Sequence, residues 1–343
     1  MSAPVLVVRP GRGDTGLLLA EARGGRLRVL AAHAVDLPSL AANGEPNRGA
    51  SAVIAGLLGE VESPPSTAWL VLPPGSTPLR RVEVELPIDR AVQHGQVADA
   101  LARARTALSD DGRSAVLACR PTGHAVDGDA GEGDPTGRRG RLLTVEVTAL
   151  SAPLGFLSAM EHAGSGAGLS LDGVVTAGEA LAAVCLPDGE GAAVHVGHGA
   201  TLAVAARGGT ITHQASVPLG RRHLEQDAAE VSALERDAAR EAVARVLAGA
   251  NDPAAPAIRA RLAEIRDLLA AARAAAGFAE GGGDVVSGLP PGALDGTPCK
   301  ADGDPLLLGA ARLALGLGRE VDQPALVRAR GRRGLRAWLR ERF

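Results

Sequence analysis

The sequence predicts an α/β fold in two lobes, and three observations lead there. The chain has 343 residues, more than one hydrophobic core of ordinary size accommodates. Apolar residues make up 46% and charged residues 22%, the balance of a folded chain and not of a disordered one. Apolar runs broken by glycine-rich turns occur at the start and again in the middle, each followed by a meander and a helix.

The elements follow in order. Val5-Leu6-Val7-Val8 reads as a strand, turned by Pro10, Gly11 and Gly13 into Leu17-Leu18-Leu19, with Leu27, Val29 and Leu30 completing a meander. Ser51–Leu58 reads as a helix, and Trp69–Leu72 as a buried strand stopped by Pro73-Pro74-Gly75. Val82, Val84 and Leu86 alternate as a half-buried strand does. A helix is expected over Asp89–Leu108, a strand over Ala115–Cys119, an acidic glycine loop over Asp127–Asp134, and a strand over Leu142–Val147. A helix at Phe156–His162, a strand at Leu171–Thr176 and a helix at Ala177–Val184 precede a second hairpin, Ala192–Val196 with Leu202–Ala205, joined through Gly197-His198-Gly199. Two long Ala/Arg/Glu helices are expected at Glu225–Leu247 and Ala257–Ala275, with paired charges on their outer faces. A glycine patch at Gly281–Gly283, a strand-turn at Val285–Gly292 and a helix at Pro305–Leu317 end the body. Asp322–Val327 reads as a linker.

Composition excludes several classes. Aromatics are 1% of the chain, too few for a module that stacks nucleic-acid bases. Of 36 cationic residues one is lysine, Lys300, a bias that reads as GC-rich coding before it reads as function. Cys119, Cys185 and Cys299 are scattered, with neither disulfide-framework nor metal-ligand spacing, which fits a reducing cytoplasm. No signal-peptide pattern and no apolar run of about 18 residues is found.

The strand–hairpin plan resembles that of the actin-like ATPase superfamily, and one segment resembles the division-protein family FtsA. Cys119–Val147 is similar to that family's inserted subdomain, with Val126-Asp127-Gly128, Asp134-Pro135, Gly137, Gly140 and Leu143 at the positions of a "V-D-G … D-P-x-G-x-x-G-x-x-L" loop. Glu161–Gly164 and Leu169–Val175 resemble the segment that follows, interrupted by an insertion of about five residues around Ser165–Leu169. The resemblance implies an actin-like (ribonuclease H-like) two-lobed fold with an inserted FtsA-type (SHS2-like) subdomain. It divides the chain into 1–76 and 151–188 (first lobe), 77–150 (insert), 189–318 (shortened second lobe), 319–328 (linker) and 329–343 (tail).

The nucleotide hairpins depart from the family pattern. Arg9 stands where the family has aspartate in its first phosphate hairpin, and His195-Val-Gly-His-Gly-Ala-Thr-Leu202 stands for "D-I-G-G-G-T-T-D", so both acids are lost, as His195 and Leu202. Mg²⁺ chemistry at such a site requires those carboxylates. Gly197, Gly199 and Thr201 remain, and Gly288-Leu-Pro-Pro-Gly292 stands for the adenosine turn. Glycine backbone at Gly11, Gly197, Gly199 and Gly288, with Arg9 as cation, marks where ATP would sit if it binds. ATP is the one cofactor the resemblance suggests, and the chain reads as a pseudo-ATPase.

The tail is distinct. Arg328–Phe343 holds seven arginines against one glutamate, and Leu335, Trp338, Leu339 and Phe343 share one face of a helix. Arg332, Arg333, Arg336 and Arg340 border that face, the pattern of an interfacial helix on an anionic leaflet. Each apolar side chain contributes about 1.5–3 kcal/mol at most and each nearby arginine about 1 kcal/mol, enough for reversible attachment. A solvated basic tail or nucleic-acid arm is the bland alternative.

Other motifs read as background. His195-x-x-His198 lacks a third ligand nearby, and Arg138 occupies the position where an EF-hand starting at Asp127 needs glutamate. Arg12-Gly13-Asp14 reads as chance. The expected function is therefore a division adaptor at the cytoplasmic face of the inner membrane, at the septum. Its partners would be itself, the FtsZ C-terminal peptide, later division proteins and anionic lipid, with no nucleic acid. An active actin-like ATPase and an actin-like scaffold of pilus assembly are the alternatives.

Overall fold

The structure is a computed structural model that describes residues 3–11, 15–35, 48–59, 64–109, 113–131, 133–275, 277–278, 284–291, 293–294, 296–301 and 303–317. Gly13, Gly281–Gly283, Gly292, the linker 319–328 and the tail 329–343 with its Leu335–Phe343 stripe lie outside the described residues.

The first elements are β1 (Val5–Arg9), β2 (Thr15–Arg23), β3 (Arg26–Val35), α1 (Arg48–Gly59) and β4 (Thr67–Leu72). Then come β5 (Leu79–Pro87), α2 (Gln96–Ser109), β6 (Ser114–Val126), β7 (Asp129–Gly131) and β8 (Leu142–Pro153). They are followed by α3 (Leu154–Gly166), β9 (Ser170–Thr176), α4 (Ala177–Cys185), β10 (Gly191–Val196), β11 (Thr201–Arg207) and β12 (Thr210–Val217). The last are α5 (Arg221–Ser232), α6 (Arg236–Leu247), α7 (Ala255–Ala275), β13 (Val285–Ser287), β14 (Thr297–Pro298) and α8 (Pro305–Ala314). Among the described residues two compact units result, one of residues 3–75 and 159–317, the other of residues 76–158.

The larger unit is an internal duplication. Its two five-stranded sheets run β3-β2-β1-β4-β9 and β12-β11-β10-β13-β14. Each is an antiparallel three-strand meander extended by two parallel strands. A shared core fills the layer between them: Val5, Val7, Trp69 and Val175 from one sheet, Ala193, Leu202 and Val204 from the other, with Leu181, Leu306, Leu307 and Ala311 of α4 and α8. Both middle helices start on strong caps. Thr176 and Glu179 form a reciprocal capping box for α4, and Asp304 caps α8 ahead of Pro305. On the outer side of the second sheet α5, α6 and α7 share a core of Leu224, Val243, Ile258 and Ile265. There Arg261 grips Asp227 through two hydrogen bonds of 2.7 and 2.9 Å.

The smaller unit is an antiparallel sheet, β5-β8-β6-β7, whose Val84, Leu86, Val126, Val145 and Val147 pack against Ala100 and Ala104 of α2. Asp127 and Gly128, both at positive φ (53° and 89°), make the tight turn between β6 and β7. The Asp127 carboxylate accepts the Arg141 and Leu142 amides at 2.9 and 2.8 Å, which holds its pKa below the usual range.

Several boundaries differ from expectation for local reasons. The helix expected over Asp89–Leu108 starts at Gln96, after an irregular entry that places Arg90 at φ 68°. The helix expected over Glu225–Leu247 is two helices, because Ala233 turns left-handed (φ 50°) and ends α5. The strand expected to stop at Cys119 runs to Val126, since register shifts at Val116/Ala118 and Pro121/Gly123 let it follow β8 past the proline.

Candidate functional site

The site lies where β1–β2 and β10–β11 approach the N-terminus of α8. Arg9 ends β1 opposite Gly16 and folds back so that its Nε donates to Asp304 Oδ2 at 2.8 Å, with 14% and 26% of the two side chains exposed. Space for this comes from Gly16: a Cβ there would lie 2.8 Å from Leu307 Cδ1 and 3.2 Å from Arg9 Nη2. The other Asp304 oxygen accepts the Leu306 and Leu307 amides at 2.9 and 3.4 Å. Burial works to raise the Asp304 pKa, but Arg9, His195 and the Leu306 N–H together hold it below the usual carboxylate range.

The second hairpin brings His195, 7% exposed, to the same neighbourhood. Its Nδ1 lies 3.1 Å from the Ser287 hydroxyl, which donates to Val194 O at 3.3 Å. Gly288 follows at φ +83°, and a Cβ there would run into Val196 O and lie 3.2 Å from His195 Cε1. Only glycine lets β13 leave the sheet this close to the imidazole.

Backbone closes the hairpin tip. Gly197 N–H donates across the turn to Ala200 O, while the Gly197 and His198 carbonyls accept the Arg221 and Arg222 amides of α5, all at 2.9 Å. The α5 N-terminus, a natural anion site when its amides are free, here spends two of them on the hairpin. Thr201, wholly buried, donates its hydroxyl to Leu219 O at 2.8 Å. Leu202, the other position where the resemblance expects an acid, is wholly buried in the core between the sheets.

Of the residues selected from sequence, Arg9, His195, Gly197 and Gly288 come together around Asp304 or the second hairpin. Gly11 follows the first strand, Gly199 sits beside Arg222, and Thr201 serves the backbone. Asp304 and Ser287 were not selected, although Asp-Pro at a helix start is a legible N-cap signal. The membrane-directed Arg332, Arg333, Leu335, Arg336, Trp338, Leu339, Arg340 and Phe343 lie outside the described residues.

The donor set does not fit Mg²⁺. Octahedral Mg²⁺ is held by carboxylates and waters, and here Asp304 is already engaged by a guanidinium and two amides. No cluster of three or more His, Cys, Asp or Glu residues suited to a metal occurs among the described residues. In the smaller unit, Asp127 is held by amides and Asp134 accepts from the Thr136 amide and hydroxyl.

Three comparisons bear on this geometry. No family model matches the chain. A 119-residue stretch is 33% identical to cell division protein FtsA of Rhizobium meliloti (strain 1021); it covers 34% of this chain and 27% of that protein, so about a quarter of the relative's length is matched. Among solved structures, the PilM-PilN type IV pilus biogenesis complex contains a similar chain (TM-score 0.56, 17% identity, 83% of this chain and 81% of that one). Ethanolamine utilization protein EutJ from Carboxydothermus hydrogenoformans is similar too (TM-score 0.53, 16% identity, 92% and 90%).

Proposed function

The actin-like fold is the premise from which function is argued, and on it we propose that the chain is a non-hydrolytic adaptor of bacterial cell division. One observation supports the adaptor half: Arg9, at the position where the resemblance expects a metal-holding acid, is engaged in an ion pair with Asp304. The FtsA-like stretch supports the division half.

In this reading the chain associates with itself, takes up the FtsZ C-terminal peptide and later division proteins, and rests on anionic lipid through Arg328–Phe343 at the septum. One weakly held helix per subunit, multiplied along an assembly, gives firm attachment. No helix among the described residues is long and apolar enough to cross a membrane, so the tail is the element this reading depends on.

A pilus-assembly scaffold is the competing reading, and partner capture separates the two. The purified chain should retain FtsZ C-terminal peptide on a column and not PilN; retention of PilN alone contradicts the division role. Deleting residues 328–343, or introducing Trp338→Glu, should release the protein from phosphatidylglycerol-containing liposomes, and unchanged co-sedimentation removes the lipid anchor.

A further inference from the structure

Two of the three cysteines, far apart in sequence, meet in the larger unit. Cys185 is the last residue of α4 and 6% exposed. Cys299 follows β14, half-buried, with its amide donating to Val286 O at 2.7 Å. The free thiols lie Sγ to Sγ at 2.9 Å across a sequence separation of 114. Cys119 belongs to the other unit.

The surroundings distinguish this pair from two buried cysteines that merely fill space. The Ser287 hydroxyl, which lies 3.1 Å from His195 Nδ1, is close enough to Cys185 to work against the rise of its pKa. Cys299, Cys185, Ser287 and His195 thus lie in one neighbourhood, linked by the Cys185–Cys299 and Ser287–His195 contacts. A cavity of about 490 Å³ lies nearby, its lining including Val184 and Lys300, the sequence neighbours of the two cysteines. Cys299 is itself partly exposed, which leaves it open to small polar molecules.

We propose that Cys185 and Cys299 form a reversible dithiol–disulfide site that answers to hydroperoxides and ties the end of α4 to the edge of the second sheet. Cys299, the more exposed thiol, attacks peroxide, loses its proton and becomes a sulfenic acid as one water leaves. Cys185 sulfur then attacks the Cys299 sulfur; the S–O bond breaks, the S–S bond forms, and the hydroxyl departs with the Cys185 proton as a second water. One peroxide takes two electrons and two thiol hydrogens, and two waters result. Burial, and the hydrogen bond with Cys299, push the Cys185 pKa up, so Cys185 acts as the resolving sulfur once its neighbour is oxidised, not as the first nucleophile. Closure changes the sulfur that sits near Ser287, the neighbour of His195.

The test uses the full chain, reduced and then treated with stoichiometric hydrogen peroxide. Denatured thiol titration should fall from three thiols to one, and peptide mapping should place the lost pair at Cys185–Cys299 within one chain. Dithiothreitol should restore all three. The Cys119→Ser variant should lose both remaining thiols, and Cys299→Ser none to an internal bridge. Three surviving thiols, Cys299 recovered as sulfinic acid with Cys185 still free, or a bridge joining two chains on a non-reducing gel would each overturn the proposal. Thiol counting is independent of partner capture, so failure here and failure of the adaptor reading remain distinguishable.

Discussion

The two hairpins of the larger unit occupy matching places in a duplicated scaffold, yet they are held in different ways. The first is fixed by a side chain: Arg9 reaches Asp304, 295 residues away in sequence. The second is fixed by backbone, its carbonyls bonded to the first amides of α5 and its turn pressed against Gly220. The two halves thus share strand order while differing in how their hairpin ends are held. Strand order follows from the alternation of buried residues over the whole sheet, and a few side chains decide the chemistry.

That contrast can be broken at several points, most severely at Gly220. A Cβ there would lie 2.5 Å from Gly197 O and 2.8 Å from both Ala200 N and His198 O, all backbone atoms. Gly220→Ala should destabilise the chain by about 3 kcal/mol in urea unfolding; a loss below about 1 kcal/mol would show that the hairpin and α5 separate easily. Asp304→Ala comes next. It removes the α8 cap and the Arg9–Asp304 ion pair, so a loss of about 1–3 kcal/mol is expected. Asp304→Asn should recover part of that loss, because the amide oxygen still accepts from Leu306 N–H.

The same ion pair gives a pH signature. Because the folded-state pKa of Asp304 is lowered, its contribution is complete above the unfolded value of about 3.9 and is lost as pH falls through the lower folded value. Stability measured from pH 5 downward should decline less steeply in Asp304→Asn than in the wild type; identical slopes would mean the carboxylate is not held by Arg9. The smallest effect belongs to Arg9→Met, about 1–2 kcal/mol, since the largely buried Asp304 loses its cation but keeps both amide bonds. A larger loss than for Asp304→Ala would reverse the assignment of which partner organises the first hairpin.

The duplication was legible because its signals are local. Val5–Val8 and Ala192–Val196 are apolar runs ended by glycine, and a strand needs little more to declare itself. The acidic stretch Asp127–Asp134 reads as one loop, yet only Asp127-Gly128 turns and Asp129–Gly131 pairs as a strand, and the Asp127 carboxylate's bonds to amides fourteen and fifteen residues on carry no local signal. What escaped is non-local or unsignalled. Nothing near Arg9 announces Asp304, and nothing near Cys185 announces Cys299. The break at Ala233 carries no glycine or proline, so a left-handed alanine could not be anticipated from propensity. Loss of acids at Arg9, His195 and Leu202 was readable as substitution, but not that Leu202 would sink into the core.

The central claim is that the site between the hairpins is an ion pair and not a metal-ATP site, and Mg²⁺-dependent ATP turnover by the purified full chain tests it most directly. The account predicts phosphate release no faster than in buffer, with or without EDTA, and no change on Arg9→Met. Turnover that requires Mg²⁺ and disappears in Asp304→Asn would contradict it.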